Sequence, residues 1–329
     1  MSIPLWVWIV TLAVTLAVLL FDIFVIARRP HVPSMGESGR HLAVYVAMAI
    51  VFGLGVWFFA GADYGLQFFA GWLTEYSLSV DNLFVFLIIM SKFAVPEKLQ
   101  QSALMVGIVI ALVLRGIFIA VGAGLINRFS WIFYLFGAFL IYTAVKLAFE
   151  GESDDDDYEE NAFISWVRKH FPATAEWHGT KLISHENGRR VITPMLIVIL
   201  ALGTTDLLFA LDSIPAIFGL TKEPFLVLMA NIFALMGLRQ LYFLIGGLLK
   251  RLVYLGLGLA VLLAFIGVKL ILHAMHENEL PFINGGEHIA WAPDIPIGVS
   301  LGAIVLILGV TTVASLAKTR RDERANAQS

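Results

Sequence analysis

The chain has no cysteine and few charged residues. Asp, Glu, Lys and Arg make up only 14% of its 329 residues, whereas soluble domains have about 25%. The absence of cysteine excludes disulfides and thiolate metal ligands. The scarcity of charge goes with 59% hydrophobic residues and a mean hydropathy of +0.84. This composition excludes an ordinary soluble domain and predicts an integral membrane protein.

Nine segments are long and apolar enough to cross a bilayer as helices, which takes about 20 residues each. They are roughly 3–27, 41–61, 64–90, 99–125, 130–149, 193–218, 225–248, 252–274 and 296–316. The first has no cationic segment or cleavage site ahead of it, so we expect a retained span and not a signal peptide. The sequence therefore predicts an all-α polytopic protein with a single transmembrane domain over 1–329.

The placement of lysine and arginine predicts the orientation, because cytoplasmic loops are enriched in both. With the N-terminus outside, 16 of the 22 Lys and Arg residues fall in cytoplasmic loops and 4 within spans. The remaining 2, Arg128 and Lys222, fall in outer loops. We therefore expect the N-terminus outside and the C-terminus in the cytoplasm.

The chain repeats itself, which is the mark of a fold built from two related units. "EYSLSVDNLFVF" (75–86) aligns with "DLLFALDSIPAI" (206–217), "LRGIFIAVGAGLINR" (114–128) with "LRQLYFLIGGLLKR" (238–251), and "FLIYTAVKLAFE" (139–150) with "LLAFIGVKLILH" (262–273). The equivalent polar pairs are Glu75 and Asp206, Asp81 and Asp212, Asn82 and Ser213, Arg115 and Arg239, and Lys146 and Lys269.

Each unit contains three spans, with repeat 1 at about 64–149 and repeat 2 at about 193–274. An odd number of spans sends the second unit into the membrane from the opposite side. Such inverted repeats are found in many secondary transporters, whose substrate sites lie near the midplane between the repeats. We expect the loop 150–192 to link the two units and the span 296–316 to follow them.

Four carboxylates lie near the middle of two spans. Glu75 and Asp81 are in the third span, and Asp206 and Asp212 are in the sixth. A charged residue at the bilayer centre costs about 2.5–3.5 kcal/mol on insertion scales, so it usually faces a cavity or a partner. If the two spans cross at the pseudo-twofold axis, Glu75 is level with Asp212 and Asp81 with Asp206. The carboxylates then form two layers about 9 Å apart.

The candidate ligands in these spans are all oxygen atoms. Asn82 and Ser213 follow two of the acids, and neither span contains His or Cys. Pro215 removes a backbone donor and frees carbonyl oxygens near Asp212. Such oxygen sets suit Mg²⁺, Ca²⁺ or Mn²⁺. Three interpretations stay open: a cation site, acids that carry protons alone, and structural bridges to Arg115 and Arg239.

Three further charged residues lie within or near the spans. The ammonium groups of Lys146 and Lys269 either extend to the membrane–water interfaces or act in helix packing or gating. Asp22 either lines the cytoplasmic mouth or reaches the interface. Between the repeats, an acidic run at 150–160 indicates either a solvated linker or an antenna that concentrates cations at the cytoplasmic mouth. It is followed by a short amphipathic helix with an apolar face at Phe163, Val167 and Phe171, which is consistent with a helix lying on the inner leaflet, and by an Asn-Gly hairpin.

At these stretches the sequence resembles the TerC family of membrane proteins, most closely its Alx-like members. "EYSLSVDNLFVF", "LRGIFI…FGAFLIYTAVKL" and "DLLFALDSIPAIF…NIFALMGLRQLYFL" are similar to its hallmark stretches, and the likeness covers nearly the whole chain. The family is grouped with LysE-like exporters, and bacterial members of this type are associated with Mn²⁺ export. Other members were named for tellurium resistance.

The resemblance implies a metal-site role for a defined set of residues. They are Glu75, Asp81, Asn82, Asp206, Asp212 and Ser213. Two positions depart from the family's pattern: Tyr76 stands where relatives often have Lys, and Gly203 where they often have Glu. The missing carboxylate at 203 puts the ligand set in doubt more than the class of protein.

The function expected from these features is export of a divalent cation, with Mn²⁺ as the transported substrate, across the inner (plasma) membrane of a bacterium. Proton exchange would supply the energy for alternating access, because the chain has no GxxxxGK[ST] nucleotide-binding loop. We expect the bilayer, the cation and protons as partners, and neither nucleic acid, enzymatic activity nor a permanently bound cofactor.

Two other functions stay open. The first is a membrane platform, without transport, for envelope protein metalation or for tellurite and redox tolerance. The second is an intramembrane carboxylate hydrolase, but the YD and GxGD motifs of intramembrane aspartyl proteases do not occur in a span.

Overall fold

The computed structural model describes residues 3–28, 33–129, 131–150, 162–174, 176–186, 189–245, 253–278, 280, 283–289 and 291–326. Within these ranges the chain forms long helices joined by short connections, with one small hairpin. The side chains of Asp22 and Asp81 lie outside the described part, and so does the acidic run 151–160.

The helices in chain order are α1 (Leu5–Arg28), α2 (Met35–Ala60), α3 (Ala62–Lys92), α4 (Glu97–Arg128), α5 (Ile132–Glu150), α6 (Ala162–His170), α7 (Pro194–Phe218), α8 (Pro224–Ile245), α9 (Leu255–His276) and α10 (Ile297–Asn326). Strands β1 (Ile183–Glu186) and β2 (Arg189–Ile192) pair antiparallel between α6 and α7, as the Asn-Gly turn predicts.

The all-α polytopic fold predicted from the sequence is confirmed. Among the described residues, eight helices are long and apolar enough to cross a membrane, and α1 is apolar over the shorter stretch Leu5–Phe21. Each predicted span coincides with a helix to within a few residues at most ends. The exception is α10, which continues to Asn326, because its Lys-, Arg- and Ala-rich end favours helix.

The segment between the repeats forms the predicted helix, α6. Ile164 and Val167 are buried against the start of α7, in a cluster that includes Met195. Phe171 follows the last residue of α6 and is exposed, and the side chain of Phe163 lies outside the described part. The position of this helix on the inner leaflet stays a prediction.

Helices α3 and α7 pack antiparallel, and their contacts recur every four residues along both helices. The hydroxyl of Thr221, just after α7, donates to Oε1 of Gln67 at 2.6 Å. One turn along, Gly71 packs against Ile217. One more turn along, Glu75 and Ser213 both contact Nη1 of Arg115. Since residues four apart lie on one helix face, these contacts define one seam between the two helices.

The other contacts among the repeat helices come in matching pairs. α3 packs against α8, with Gly71 close to Ala230, and α4 packs against α7, with Gly107 close to Leu202. In the aligned repeats Gly71 is equivalent to Leu202, and Gly107 is equivalent to a position one residue from Ala230. The contact of Gly71 with Ala230 is therefore the counterpart of the contact of Gly107 with Leu202. Such pairs, and an antiparallel α3 and α7, are what an inverted repeat requires. The repeat itself stays a prediction.

Helices α5 and α9 cross with their backbones in close contact. A methyl group at Gly137 would lie 2.7 Å from the carbonyl oxygen of Gly267 and 2.7 Å from Cγ1 of Ile271. A methyl group at Gly267 would lie 2.9 Å from the carbonyl oxygen of Gly137 and 2.9 Å from Cγ1 of Ile141. Small residues that allow such backbone contact are typical of helix interfaces in membranes.

We expect Gly137→Ala to lower the thermal stability of the purified protein in detergent, at a cost of about 1–3 kcal/mol, because the added methyl group overpacks the crossing. The control is Gly116→Ala in α4, where nothing lies within 4 Å of the new methyl group. That variant should melt at or above the wild-type temperature, since Ala favours helix. Equal melting of both variants and the wild type would contradict a close crossing.

Candidate ion-binding site between α3, α4, α7 and α8

Arg115 is the largest fully buried side chain in the described part of the protein. From α4, its Nε and Nη2 donate to the two carboxylate oxygens of Asp206 at 2.9 and 3.0 Å. Its Nη1 donates to Oγ of Ser213 at 3.2 Å and to Oδ1 of Asn231 at 3.0 Å. The same nitrogen pairs with Oε1 of Glu75. One guanidinium therefore joins α3, α4, α7 and α8.

The bond to Asp206 has the two-pronged geometry that gives arginine its specificity for carboxylates. The side chain of Asn231 is held in position by a hydrogen bond, in which its amide nitrogen donates to the carbonyl oxygen of Val227 at 3.2 Å. That bond turns the amide oxygen towards Arg115. The cluster is therefore held in place by bonds on several sides.

Two carboxylates face this single guanidinium. Glu75 is 0% exposed and Asp206 is 1% exposed. Buried charges are stable only when they are paired and hydrogen-bonded. With both acids ionised, these three side chains carry one more negative charge than positive. The cluster therefore has the capacity for a further positive charge.

Several buried oxygen atoms on α3 have no hydrogen-bond partner within the described protein. They are the two carboxylate oxygens of Glu75, Oγ of Ser79 and Oγ1 of Thr74. Oε1 of Glu75 forms an ion pair with Arg115 but accepts no hydrogen bond. Buried polar atoms are nearly always satisfied in native proteins. Glu75 and Ser79 are four residues apart and share one face of α3, so Oε2 of Glu75 and Oγ of Ser79 lie on the same side of the helix.

Asp212 lies apart from Arg115, in a cavity of its own. The hydroxyl of Thr143 donates to Oδ1 of Asp212 at 3.0 Å. Both residues line a cavity of about 180 Å³ together with Asn82 and Lys146. Apolar side chains form the rest of the wall, namely Leu78, Leu147, Phe209, Leu259 and Leu263. This cavity brings together two residues of the predicted metal site, Asn82 of α3 and Asp212 of α7.

Pro215 lies within α7, three residues beyond Asp212. Because proline has no N–H, the carbonyl oxygen of Leu211 has no helical donor. The helix nevertheless continues to Phe218. This carbonyl is a further oxygen beside the carboxylate of Asp212.

The seam between α3 and α7 agrees with the expected level of the outer layer. Glu75 lies alongside Ser213, the neighbour of Asp212, as the antiparallel register requires. The two-layer prediction placed Asp206 on the other level, but the guanidinium of Arg115 contacts both Glu75 and Asp206. The structure thus shows, for Glu75 and Asp206, the arginine bridge that was one of the open interpretations. The side chain of Asp81 lies outside the described part, so the predicted layer of Asp81 with Asp206 stays a prediction.

The remaining predicted residues occupy different places. Arg239 is buried in α8. Lys146 lines the cavity of Asp212. Lys269 donates to Oγ of Ser300 on α10 at 2.8 Å and lines a larger cavity of about 550 Å³ with His273. That cavity lies at the end of the bundle where α3 begins and α7 ends, which is predicted to face outside.

Sequence reasoning missed two residues of the site, Asn231 and Thr143. Each is an uncharged polar residue in an apolar span, and Thr143 comes three residues before Lys146 on the same helix. An amide or hydroxyl costs less to bury than a charge, so it stands out less in a sequence. Their positions, opposite Arg115 and Asp212 respectively, could have been found only from the packing of the helices.

The candidate ligands are divided between two places in this conformation. Glu75, Asp206 and Ser213 surround Arg115, whereas Asn82 and Asp212 line the cavity. Across the described ranges, no three His, Asp or Glu side chains lie close enough to hold a metal ion together. A bound divalent cation would therefore need either backbone and amide oxygens or a change in the position of Arg115.

Residues 60–323 match the profile of the integral membrane protein TerC family. The chain is 46% identical over 319 residues to an uncharacterized membrane protein of Mycobacterium tuberculosis (strain ATCC 25618 / H37Rv), covering 95% of this chain and 80% of the relative. It is 41% identical over 313 residues to an uncharacterized membrane protein of Myxococcus xanthus, covering 95% and 92%.

A third relative comes from Escherichia coli (strain K12) and is named, provisionally, as the membrane-bound redox modulator Alx. It is 37% identical over 311 residues, covering 92% of this chain and 91% of the relative. No solved structure matches the chain.

We expect Asp206→Asn to destabilise the protein by about 1.5–3 kcal/mol, the usual range for a hydrogen bond to a charged group. The variant keeps one acceptor for Arg115 but loses the charge and half of the two-pronged bond. Thermal unfolding in detergent measures the effect. The matched control is Asp63→Asn, since Asp63 is an exposed carboxylate at the start of α3; a loss of stability as large in that variant would contradict the buried bridge.

Proposed function

Because this chain belongs to the TerC family of integral membrane proteins, we propose that it exports a divalent metal cation, with Mn²⁺ as its cargo, from the cytoplasm. In this proposal the protein lies in the inner membrane of a bacterium with its C-terminus in the cytoplasm. It works by alternating access, and protons move in exchange for the metal.

The observation that supports this proposal most directly is the cavity at Asp212. It lies among membrane-spanning helices and offers a carboxylate, the amide of Asn82 and the hydroxyl of Thr143. Ionisable residues inside a membrane usually mark the path of an ion or a proton. The cavity of about 180 Å³ has the volume of about six liquid water molecules. A partly hydrated cation is of that size.

The ligand chemistry favours a hard cation. Carboxylate, amide, hydroxyl and backbone oxygens suit Mg²⁺, Ca²⁺ and Mn²⁺, whereas zinc and copper prefer imidazole and thiolate. The chain has no cysteine, and the described residues that line this cavity include no histidine. Among the hard cations, Mn²⁺ is proposed because the sequence resembles family members associated with Mn²⁺ export.

Proton exchange follows from the same residues. A carboxylate that binds a divalent cation in one conformation can bind a proton in the other, which keeps a charged group out of the apolar interior. Asp212 can take part in this exchange, because its carboxylate lines a cavity that has room for either ion. Two protons would balance the charge of one divalent cation.

A second candidate function is a membrane platform without transport, which is favoured by the name of one relative. The relative from Escherichia coli is named for redox modulation. A redox role of this chain could not use thiol–disulfide exchange, since the chain has no cysteine. A platform also gives no reason for a carboxylate in a cavity between spanning helices, which is why we favour transport.

The test is uptake of radiolabelled Mn²⁺ into inverted membrane vesicles, with a pH-sensitive dye to follow protons. We expect wild-type vesicles to accumulate Mn²⁺ and to move protons in the opposite direction. Asp212→Asn and Asp81→Asn should reduce uptake by at least about tenfold, since even loss of an outer partner of a metal ligand costs about 10–100-fold in affinity.

The control for these variants is Asp63→Asn, which removes an exposed carboxylate of the same type and should transport normally. If wild type moves no metal at any pH gradient, the transport proposal fails. If wild type transports and the two variants match it, transport stands but the site assignment fails. If neutralising the acids leaves cellular metal content unchanged, the platform function is favoured instead.

A further inference from the structure

The guanidinium of Arg115 has the surroundings of a bound cation. Five oxygen atoms contact it: both carboxylate oxygens of Asp206, Oε1 of Glu75, Oγ of Ser213 and Oδ1 of Asn231. They come from α3, α7 and α8. Carboxylate, hydroxyl and amide oxygens in this number are the ligands that hard divalent cations take in proteins, with six to eight being usual for Ca²⁺.

The charge of Arg115 does not match these surroundings fully. One positive charge faces the carboxylates of Glu75 and Asp206, and Oε2 of Glu75 has no hydrogen-bond partner within the described protein. A divalent cation in the same place would balance both carboxylates. It would also use the free oxygen of Glu75 and the unpartnered hydroxyl of Ser79 one turn along α3.

We propose that Arg115 is a tethered counter-ion, which holds Glu75 and Asp206 in the metal-free protein and which the transported cation displaces. This inference rests on the proposed transport function and adds to it a second position for the cation, distinct from the cavity of Asp212, together with the group that competes for that position. Arg115 fills the site while the protein returns without cargo, so that two acids are not left unpaired in the membrane. The cation gains access only when the side chain withdraws along α4.

A tethered competitor lowers apparent affinity in a calculable way. The apparent dissociation constant equals the intrinsic one divided by the fraction of molecules with the site open. Minor conformations of proteins are typically populated at about 0.1–10%. Removing the competitor should therefore tighten cation binding by about tenfold or more, while a purely structural arginine would give weaker binding or none.

The test compares wild type with Arg115→Gln, purified in detergent with Mn²⁺ present and then dialysed. Binding of Mn²⁺ is measured by equilibrium dialysis at pH 8, and thermal unfolding is measured with and without Mn²⁺. We expect the variant to bind Mn²⁺ about tenfold more tightly or better. It should unfold at a lower temperature than wild type without the metal, and Mn²⁺ should restore more of its stability than it adds to wild type.

Transport supplies a separate readout. In inverted vesicles, Arg115→Gln should show a lower KM for Mn²⁺ and a lower maximal rate, because release needs the arginine to return to the acids. Arg115→Lys keeps the charge but cannot reach both carboxylates with a planar fork. We expect its Mn²⁺ affinity to stay near that of wild type and well below that of Arg115→Gln.

The matched control is Arg128→Gln, at the exposed end of the same helix, which should behave as wild type in every assay. Tighter binding together with rescue by Mn²⁺ supports the inference. Unchanged or weaker binding by Arg115→Gln, or a loss of stability that Mn²⁺ does not restore, overturns it and leaves a structural bridge. If wild type itself neither binds nor moves Mn²⁺, Mg²⁺ or Ca²⁺, the proposed function fails first.

Discussion

The structure depends on one buried charge, the guanidinium of Arg115. Four helices meet at this group, and each supplies it or a partner for it. In a bilayer there is little water to replace a lost partner, so moving these helices apart would leave buried charges unpaired. The same constraint therefore stabilises the bundle and limits how the bundle can move.

Much of this arrangement could be predicted from the sequence, because its signals are long or rare. Hydrophobic length identified the spanning helices, and charge in apolar segments identified Glu75, Asp206 and Asp212. The choice of partners could not be predicted. Arg115 was recognised as one of two arginines near four acids, but which acids it would join depends on the side-chain directions of α3, α4 and α7 at one level. Uncharged partners such as Asn231 give almost no signal, since an isolated amide is common in such spans.

The two halves of the chain are alike in sequence but play different parts in this conformation. Asp206, of the second half, is bound by the arginine of the first half, while Asp212 lies in a cavity with Thr143 and Asn82 of the first half. Each acid of α7 thus faces residues of the other unit. These contacts respond to any movement between the halves, because each acid of α7 is bound by side chains of the other half.

The seam between α3 and α7 limits that movement in a particular way. Its contacts at Gln67 with Thr221, Gly71 with Ile217, and Glu75 beside Ser213 recur once per turn. Sliding one helix past the other would break all three together, and the next matching position lies a full turn, about 5.4 Å, away. A tilt about the middle contact, between Gly71 and Ile217, would keep that contact. It would open one end of the seam and close the other. The spacing of the seam therefore favours rocking over sliding as the relative motion of α3 and α7.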